Sequence, residues 1–391
     1  MSGLLPERNS MKLAWTIFQI SMLLLSNSIW AQGLDEIGYF QPSTIVFDWE
    51  DLSSAGIGSS DSIGEGAVQI FRNSKGLPLF YWQDIFTSVC FDNQCRPLSL
   101  KVYWNVTGRY LGFRLPAQEF LSRYDHEPFA QGDYEQLNSL LADPYLPLGN
   151  IAFQELIEHS EDSLQQIDGV SGATPKRILN YVVEGAAYTT YTMWNIIYGP
   201  TKKVIERQTE QEMTSELLTQ ILQSPNTEDK TWGLARIDQT KELDTLLVQP
   251  LIELISFADF FVAYSAIEMI SPIQLKSENF QLQLFSAYAD TRYSLKGEIL
   301  KKLASAPMIS RAVIQESHNI LNDLNGEQLG YMLELYEKQS ITDMQTAELV
   351  AALLQDDNTF ISKKAFDYLS QINELPDDIV QSIRSFAVSQ Q

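Results

Sequence analysis

Apolar and polar positions alternate in short runs over the first part of the chain. Between about residues 37 and 116, these runs are rich in β-branched and aromatic side chains, and pieces rich in Gly, Ser and Asn separate them. Alternation with a period of two, bounded by turn residues, is typical of half-buried strands. The pattern therefore predicts strands over TIVFDW, AVQIF, LPLFYW, LSLKVYW and YLGFRL.

After the last of these runs the period changes to that of a helix. In the segment DYEQLNSLLAD, the apolar residues Tyr134, Leu137 and Leu141 share one helical face. A second helix is predicted to begin at Pro175 and to run through KRILNYVVEGAAYTTYTMW, because Pro suits the first position of a helix. Strands followed by helices predict an α+β domain, to which we assign residues 32–200.

Beyond Gly199 and Pro200 the pattern stays helical. Near the C-terminus, helices are predicted to begin around Thr342, Asn358 and Pro376, so that a pair of helices takes roughly 35 residues. We assign residues 201–391 to an all-α domain of HEAT-like helical repeats, with an ordinary helical bundle as the alternative. The apolar positions that support these helices are Val350, Leu353, Leu354, Ile361, Ala365 and Leu369.

The charge balance narrows the classes of partner. The chain carries 27 basic and 50 acidic side chains, for a formal net charge of −23. Such a surface repels phosphate backbones, so we expect no nucleic acid partner. The acidic residues are dispersed, which is typical of a solvated surface.

The segment from Met11 to Ala31 has the features of a secretory signal peptide. Lys12 precedes a Leu-rich apolar stretch, and small residues lie before a plausible cleavage site after Ala31. A membrane anchor is the alternative, but the apolar stretch is shorter than the ~20 residues that a spanning helix needs. We therefore assign residues 1–31 to a signal peptide and expect an exported, periplasmic or otherwise extracytoplasmic protein.

Export also bears on the two cysteines, Cys90 and Cys95, which lie between two predicted strands. In an oxidising compartment we expect them to form a disulfide that closes a hairpin. So small a loop would stabilise the fold by about 2 kcal/mol.

The most informative segment reads Asp168-Gly-Val-Ser171-Gly172-Ala173-Thr174. It resembles the flavin-attachment site of the FMN-binding domain found in the flavin subunits of sodium-pumping NADH:quinone reductase and of related ferredoxin-linked complexes. The resemblance implies that a flavin transferase, using FAD and a divalent metal, joins FMN through its phosphate to the hydroxyl of Thr174. It also implies that the other four named residues form the modification motif.

The residues themselves permit two interpretations of Thr174. Gly172 and Ala173 leave room for a phosphate group, and a helix beginning at Pro175 would place that phosphate at a helix N-terminus, where negative charge is favoured. A Thr followed by Pro is also an ordinary helix start, in which the Thr side chain caps the helix.

Other chemistries have weaker support. Ser171 lacks the Gly two residues later that a serine-hydrolase elbow requires. The three histidines, His126, His159 and His318, have no second ligand at metal-binding spacing, so no metal site is expected. His126 lies in the segment from Arg123 to Pro128, which is a loose match to a flavin-contacting loop of the family. The three tryptophans Trp82, Trp104 and Trp194 are expected to be core residues.

These observations lead to two hypotheses. In the first, the chain is an exported electron-transfer flavoprotein that carries covalent FMN and meets a redox partner protein, possibly membrane-bound, through its helical repeats. Electron carriage is favoured over a complete enzyme, because no substrate site is evident. In the second, the chain is a non-catalytic scaffold whose helical repeats bind a protein and whose front domain has lost its flavin.

Overall fold

The computed structural model describes residues 37–41, 60–63, 68–87, 97–123, 127–156 and 177–389. Six strands within these residues form one sheet in the order β1-β6-β5-β4-β3-β2. The printed pairings of β1 with β6, β2 with β3 and β3 with β4 are antiparallel. The strands are β1 Gly38–Phe40, β2 Ser60–Ile63, β3 Val68–Arg72, β4 Pro78–Thr87, β5 Leu98–Asn105 and β6 Tyr110–Arg114.

Four of the five predicted strands are confirmed as β3, β4, β5 and β6. The first predicted run, TIVFDW, lies outside the described residues. β5 shows why the pattern was readable: Leu98, Leu100 and Val102 are buried, and the residues between them are half-buried. This alternation is what a strand with one covered face produces.

A tight turn joins β5 to β6, and Asn105 organises it. The Asn105 side-chain oxygen accepts hydrogen bonds from the backbone N–H groups of Thr107, at 3.0 Å, and Arg109, at 2.8 Å. Gly108 has a φ of +76°, which glycine adopts without the strain that a side chain would bring. The turn is therefore specified by local chemistry at two positions.

β1 packs closely against β6 at a glycine. Phe40 is the Cα partner of Gly112 in the register. A Cβ atom added to Gly112 would lie 2.3 Å from the Tyr39 carbonyl oxygen and 2.6 Å from a Phe40 ring carbon. Only a residue without a side chain lets the two strands approach this closely.

The helix predicted from DYEQLNSLLAD is confirmed as α1, Gln131–Leu141. Its apolar face is the predicted one, since Tyr134, Leu137 and Leu141 are buried. Short 3-10 helices follow, and then α2 spans Ala187–Tyr198. The 3-10 helices are Pro147–Asn150, Phe153–Leu156 and Leu179–Tyr181.

From Pro200 onwards the described residues contain helices, turns and loops, as the sequence predicts. The predicted starts at Thr342, Asn358 and Pro376 lie within two residues of the observed starts of α12, α13 and α14. The helices are α3 Pro200–Gln211, α4 Ser215–Leu222, α5 Thr227–Leu234, α6 Thr245–Phe257, α7 Phe260–Glu268, α8 Glu278–Asp290, α9 Tyr293–Ala304, α10 Arg311–His318, α11 Gly326–Lys338, α12 Met344–Ala352, α13 Thr359–Leu369 and α14 Asp377–Ser389.

Most of these helices begin at a side chain that accepts a hydrogen bond from a backbone N–H of the first turn. Such caps satisfy donors that the helix leaves unpaired, and each contributes about 1 kcal/mol. They explain why the helices start where they do. The capping residues are Thr214, Asn226, Asp244, Asp259, Ser277, Ser310, Asn325, Asp343 and Asn358.

The helices from α4 onwards form two alternating series, which we call A and B. The A helices α6, α8, α10, α12 and α14 begin at intervals of 33 residues, and so do the B helices α5, α7, α9, α11 and α13. This period is close to the predicted 35. B helices pack against the next B helix, and each A helix contacts the B helix that follows it in the pairs α4–α5, α6–α7, α8–α9 and α12–α13. The structure is therefore a helical array with a repeated two-helix unit.

Buried glutamines tie neighbouring units of the array together. Gln281 on α8 is 1% exposed, and its amide donates to the carbonyl oxygens of Leu275, at 2.7 Å, and Met308, at 2.8 Å. Its side-chain oxygen accepts from the backbone N–H of Ser310 at 2.7 Å. One side chain thus satisfies three backbone groups on the loops that flank two successive A helices.

The density of contacts divides the chain into two compact units. The first contains the described residues of 1–40, 84–102 and 112–195, and the second those of 41–83, 103–111 and 196–391. The expected boundary near residue 200 is the start of α3, and the second unit also contains β3 and the β5–β6 turn. In outline, an antiparallel sheet with helices precedes a helical domain.

None of the helices in the described part of the chain is long and apolar enough to cross a membrane.

Candidate functional site

The motif that the sequence singles out lies outside the described residues. Asp168, Ser171, Gly172, Ala173 and Thr174 all fall in the segment 157–176. Covalent attachment of FMN to Thr174 therefore stays a prediction, and the structure bears on it through the residues on either side.

The chain leaves and re-enters the described structure at one place. Leu156 ends a 3-10 helix and is buried, and Ile178 on the far side of the segment is also buried. Between these two anchors, the Arg177 guanidinium lies 3.0 Å from the Glu155 carboxylate. Both charged side chains are mostly exposed, so the ion pair marks the proximity of the two ends and contributes little energy.

The helix predicted to begin at Pro175 is wrong over the described residues 177–186. Leu179–Tyr181 form a single 3-10 turn, and Val182 is extended. Gly185 then adopts a φ of +75°, and α2 begins at Ala187. A glycine in the left-handed conformation interrupts a helix, so the apolar pattern on either side of it belongs to two separate elements.

This correction changes the electrostatic argument for Thr174. The expected site placed a phosphate at the N-terminus of a long helix, where the helix dipole favours negative charge. The first α-helix after Thr174 in the described residues is α2, which starts 13 residues later at Ala187. The dipole of α2 therefore gives no support to a phosphate on Thr174, because its effect extends over only about one turn.

Aromatic rings adjoin the anchor of the segment. Phe153, which opens the 3-10 helix before Leu156, lies 4.8 Å from the Tyr188 ring and 5.8 Å from the Tyr191 ring, measured between centroids. All three rings are half-buried. The Tyr191 hydroxyl donates to the Ile151 carbonyl oxygen at 2.8 Å, which fixes that ring. The result is a small aromatic surface beside the point where the motif-bearing segment joins the fold.

The tryptophans that were expected in the core are largely there. Trp104 is fully buried and its indole N–H donates to the Ile197 carbonyl oxygen at 3.1 Å. Trp194 is 7% exposed, donates to the Asp143 carbonyl oxygen at 2.9 Å and packs on Gly149. Trp82 is half-buried. Two of the three rings are thus committed to packing and are not free to stack on a ligand.

The segment from Arg123 to Pro128 forms a narrow turn in the same compact unit. The Arg123 N–H donates to the Glu127 carbonyl oxygen at 2.8 Å. The Arg123 guanidinium pairs with the buried Asp133 at the start of α1, with Nε 3.1 Å from one carboxylate oxygen. His126, the residue of this segment with the most evident chemistry, lies outside the described residues.

Charge links this turn to the chain that follows the motif. The hydrogen bond from Arg123 holds the pKa of Asp133 below its usual value, and burial partly opposes that effect. In return, the hydrogen bond to Asp133 and the nearby carboxylate of Glu184 raise the pKa of Arg123. Glu184 belongs to the stretch between Thr174 and α2, so the two segments that the resemblance connects with flavin are close enough to interact electrostatically.

Cys90 and Cys95 lie outside the described residues, and their disulfide stays a prediction. Among the described residues, no group of three or more His, Cys, Asp or Glu side chains is arranged to hold a metal ion.

The sequence analysis missed a buried cluster around Asp229. The Asp229 side chain is fully buried on α5, and one of its oxygens lies 2.9 Å from Nη2 of Arg109, which is 11% exposed. Its other oxygen accepts from Nδ2 of Asn105 at 2.8 Å and from the hydroxyl of Thr107 at 2.7 Å. Ser224 adds a further hydrogen bond at 2.8 Å. The carboxylate therefore holds the β5–β6 turn on the first B helix.

The electrostatics of this cluster favour the ionised carboxylate. Burial raises the pKa of Asp229, but the hydrogen bond and charge of Arg109, together with hydrogen bonds from Thr107 and Ser224, outweigh burial and lower it. With its lone pairs filled by protein donors, Asp229 has no capacity left for a ligand. We therefore interpret the cluster as structural. One signal was available: at the 33-residue interval, Val262 on α7 and Leu295 on α9 occupy the same position as Asp229.

Asn105 and Thr107 also form a potential glycosylation sequence. Asn105 is fully buried and Thr107 is 4% exposed, and both are bonded to Asp229. Their burial explains this sequence as part of the turn, in agreement with the absence of any functional weight assigned to it.

Comparison with known proteins adds no relative to this picture: no protein-family model, no curated protein and no solved structure matches the chain.

Proposed function

We propose that this chain is an exported flavoprotein in which FMN is joined by a phosphoester to Thr174, and that it carries electrons outside the cytoplasm. The observation that carries the proposal is the motif from Asp168 to Thr174, which meets every fixed position of the attachment pattern it resembles. The bound isoalloxazine ring would supply the redox chemistry, and the protein would supply attachment, orientation and a docking partner.

The attachment reaction is a phosphoryl transfer that a flavin transferase with a divalent metal would perform. The Thr174 hydroxyl oxygen attacks the FMN phosphorus of FAD, and a phosphoester bond forms. The pyrophosphate bond of FAD breaks, and AMP leaves with the proton balance completed by the hydroxyl hydrogen. No oxidant or reductant is consumed. The chain gains the mass of one FMN less one water.

The described residues around the segment are compatible with a flavin. The half-buried rings of Phe153, Tyr188 and Tyr191 offer apolar faces where the segment is anchored. Arg177, three residues after Thr174, is a largely exposed cation beside the same anchor. Planar rings and a nearby guanidinium suit an aromatic cofactor with a phosphate.

The helical domain would present the flavin domain to its redox partner. Its repeated two-helix units of 33 residues support a HEAT-like solenoid, an architecture that offers an extended binding surface. Large apolar side chains remain exposed on it, including Phe257 at 73% and Phe261 at 77%. A flavin that stays tethered suits a compartment with little free FMN.

The test is the intact mass of the full chain after co-expression with a flavin transferase and export. We expect wild-type protein to gain one FMN and to keep its yellow absorbance after denaturation. Thr174→Ala should lose both, and Thr174→Ser should keep both because the pattern accepts either hydroxyl. Thr231→Ala, at an exposed threonine on α5, is the matched control and should be modified like the wild type.

Bound flavin in Thr174→Ala after denaturation would refute the attachment site. Wild-type protein recovered from its native host without any added mass would refute the flavoprotein proposal itself.

The repeat architecture with its exposed aromatic residues favours a second candidate, a non-catalytic protein-binding scaffold. The exposed rings of Phe260, Phe261 and Tyr264 lie together on α7, with Phe260 5.6 Å from Phe261 and 6.1 Å from Tyr264. This candidate expects an unmodified chain in the native host and loss of a bound protein when Phe261 is replaced by Ser. The mass measurement therefore separates the two candidates.

A further inference from the structure

His318 joins two successive A helices of the array. It is the last residue of α10, and its Nε2 atom lies 2.8 Å from the hydroxyl oxygen of Thr346 in the first turn of α12. The ring also meets Tyr336 of α11 edge-on, with 6.5 Å between centroids. The histidine thus contacts three helices that belong to two neighbouring units.

The hydrogen-bond network decides which nitrogen carries the proton. The Thr346 hydroxyl has one hydrogen, and it lies 2.7 Å from a carboxylate oxygen of Asp343. Hydrogen bonds from Thr346 help to lower the pKa of Asp343, so that carboxylate is ionised and can only accept. Thr346 therefore donates to Asp343, and His318 must donate from Nε2 to Thr346. The neutral ring is fixed as the Nε2–H tautomer.

The other ring nitrogen has nothing to bind when it is protonated. Nδ1 of His318 is buried and makes no hydrogen bond within the described part of the chain. A second proton on the ring would create a buried N–H without an acceptor, which costs about 1–3 kcal/mol. It would also place a positive charge at the N-terminus of α12, the end of a helix that disfavours cations.

Two titratable groups face the ring from the elements packed against it. Asp343, at the start of α12, raises the pKa of His318, but burial lowers it by more. Tyr336 on α11 stays neutral, because burial raises its pKa far above the physiological range. On its own helix, the neighbouring Ser317 hydroxyl bonds to Tyr336 and not to the ring. No second cation or carboxylate in the described network offsets the buried proton.

We propose that His318 is a pH-sensitive lock between α10 and α12, closed while the ring is neutral and released when it takes up a second proton. Release loosens the units that follow, α12 to α14, from the rest of the array. An acidic environment therefore changes the length of helical array available to a partner. This inference is independent of the flavin on Thr174.

The direction of the effect follows from linkage. The ordinary pKa of histidine is 6.5, and that of folded His318 lies below it. Between these two values the unfolded chain binds more protons than the folded chain, so stability falls as pH falls. The stabilising contribution is complete above pH 6.5 and is lost progressively as the pH drops towards the folded-state pKa.

The test begins with a titration of the full chain labelled with ¹⁵N-histidine, followed by NMR. We expect one resonance, assigned by its loss in His318→Gln, to show the Nε2–H tautomer and a pKa below 6.5. Each unit of separation from 6.5 corresponds to a tenfold loss in the folding equilibrium constant on acidification. A His318 that titrates at or above 6.5, or as the Nδ1–H tautomer, overturns the proposal even if no variant folds.

The second measurement is hydrogen exchange of α12 to α14 at pH 7.5 and pH 5, corrected for intrinsic rates. Wild-type protein should lose protection in these helices relative to α6 and α7, by the factor that the NMR pKa predicts. His318→Gln keeps an N–H donor for Thr346 and cannot titrate, so its relative protection should not change with pH. Thr346→Ser keeps the hydroxyl and should behave like the wild type. An equal pH response in His318→Gln and wild type refutes the lock.

Discussion

The Asp229 carboxylate lies 2.9 Å from the Arg109 guanidinium, and the aspartate side chain is fully buried. This ion pair connects the turn between β5 and β6 to the first B helix of the array. At the equivalent position of later units the chain has Val262 and Leu295, which pack in the core. A charged residue thus replaces an apolar one where the array meets a turn of the sheet.

Replacing Asp229 by Asn should destabilise the protein strongly. The variant leaves the nearly buried Arg109 without its counter-charge, and losing one partner of a buried pair costs about 3–5 kcal/mol. We expect a loss of about 3 kcal/mol in the free energy of unfolding, measured by urea denaturation. Asp367→Asn, at an exposed position on α13, is the matched control and should change stability by less than about 0.5 kcal/mol. Equal effects in the two variants would contradict the structural role of the cluster.

The same carboxylate predicts a loss of stability in acid. The pKa of Asp229 lies below its ordinary value of 3.8, since hydrogen bonds and the charge of Arg109 outweigh its burial. The stability that it contributes is therefore present above about pH 4 and is lost as pH falls through the folded-state pKa. Urea midpoints from pH 6 to pH 3 should fall more steeply for wild type than for Asp229→Asn. Parallel slopes would show that Asp229 does not titrate with unfolding.

Gln281→Leu should weaken the junction between two units. The substitution removes the partners of three buried backbone groups, those of Leu275, Met308 and Ser310. Unpaired buried groups cost about 1–3 kcal/mol each, and partial relaxation should leave a net loss of about 3 kcal/mol. Gln249→Leu, at an exposed position on α6, is the comparison and should have little effect in the same thermal or urea measurement. A neutral Gln281→Leu would mean that water replaces the lost bonds.

Two glycines should respond to alanine in opposite directions. In Gly112→Ala the new methyl group would meet the Tyr39 carbonyl oxygen at 2.3 Å, so β1 must move away from β6. A loss of about 1–3 kcal/mol is expected, in the range of overpacked sites. Gly132 in the first turn of α1 has open space around it, and Gly132→Ala should stabilise by up to about 1 kcal/mol through helix propensity. Thermal unfolding of both variants provides the measurement, and a stabilised Gly112→Ala would refute the close approach of the two strands.

Local patterns were enough for much of the fold. Four strands, α1 and the starts of the last three helices agree with the sequence analysis, because periodicity and capping residues depend on neighbours along the chain. The helix expected after Pro175 failed for a reason that is also local in origin. Gly185 was treated as a tolerated small residue within an apolar pattern, whereas its φ of +75° ends one element and precedes the next.

The candidate site was harder to derive. The motif ending at Thr174 was recognised from its own residues, since the chemistry of attachment depends on a short segment. The pairing of Arg177 with Glu155, and the aromatic surface of Phe153 with its two tyrosines, join positions far apart in the chain. No spacing rule predicts such contacts.

By itself the sequence determined where most strands and helices lie, the helical nature of the second half and the motif proposed to carry a flavin. Only the tertiary structure decided that Asp229 belongs to the core, that Asn105 is buried in a turn, and that His318 has a nitrogen without a partner. The physical reason is the range of the interactions involved. Helix and strand formation depend on residues a few positions apart, whereas the fate of a polar side chain depends on donors and acceptors that folding brings from distant parts of the chain.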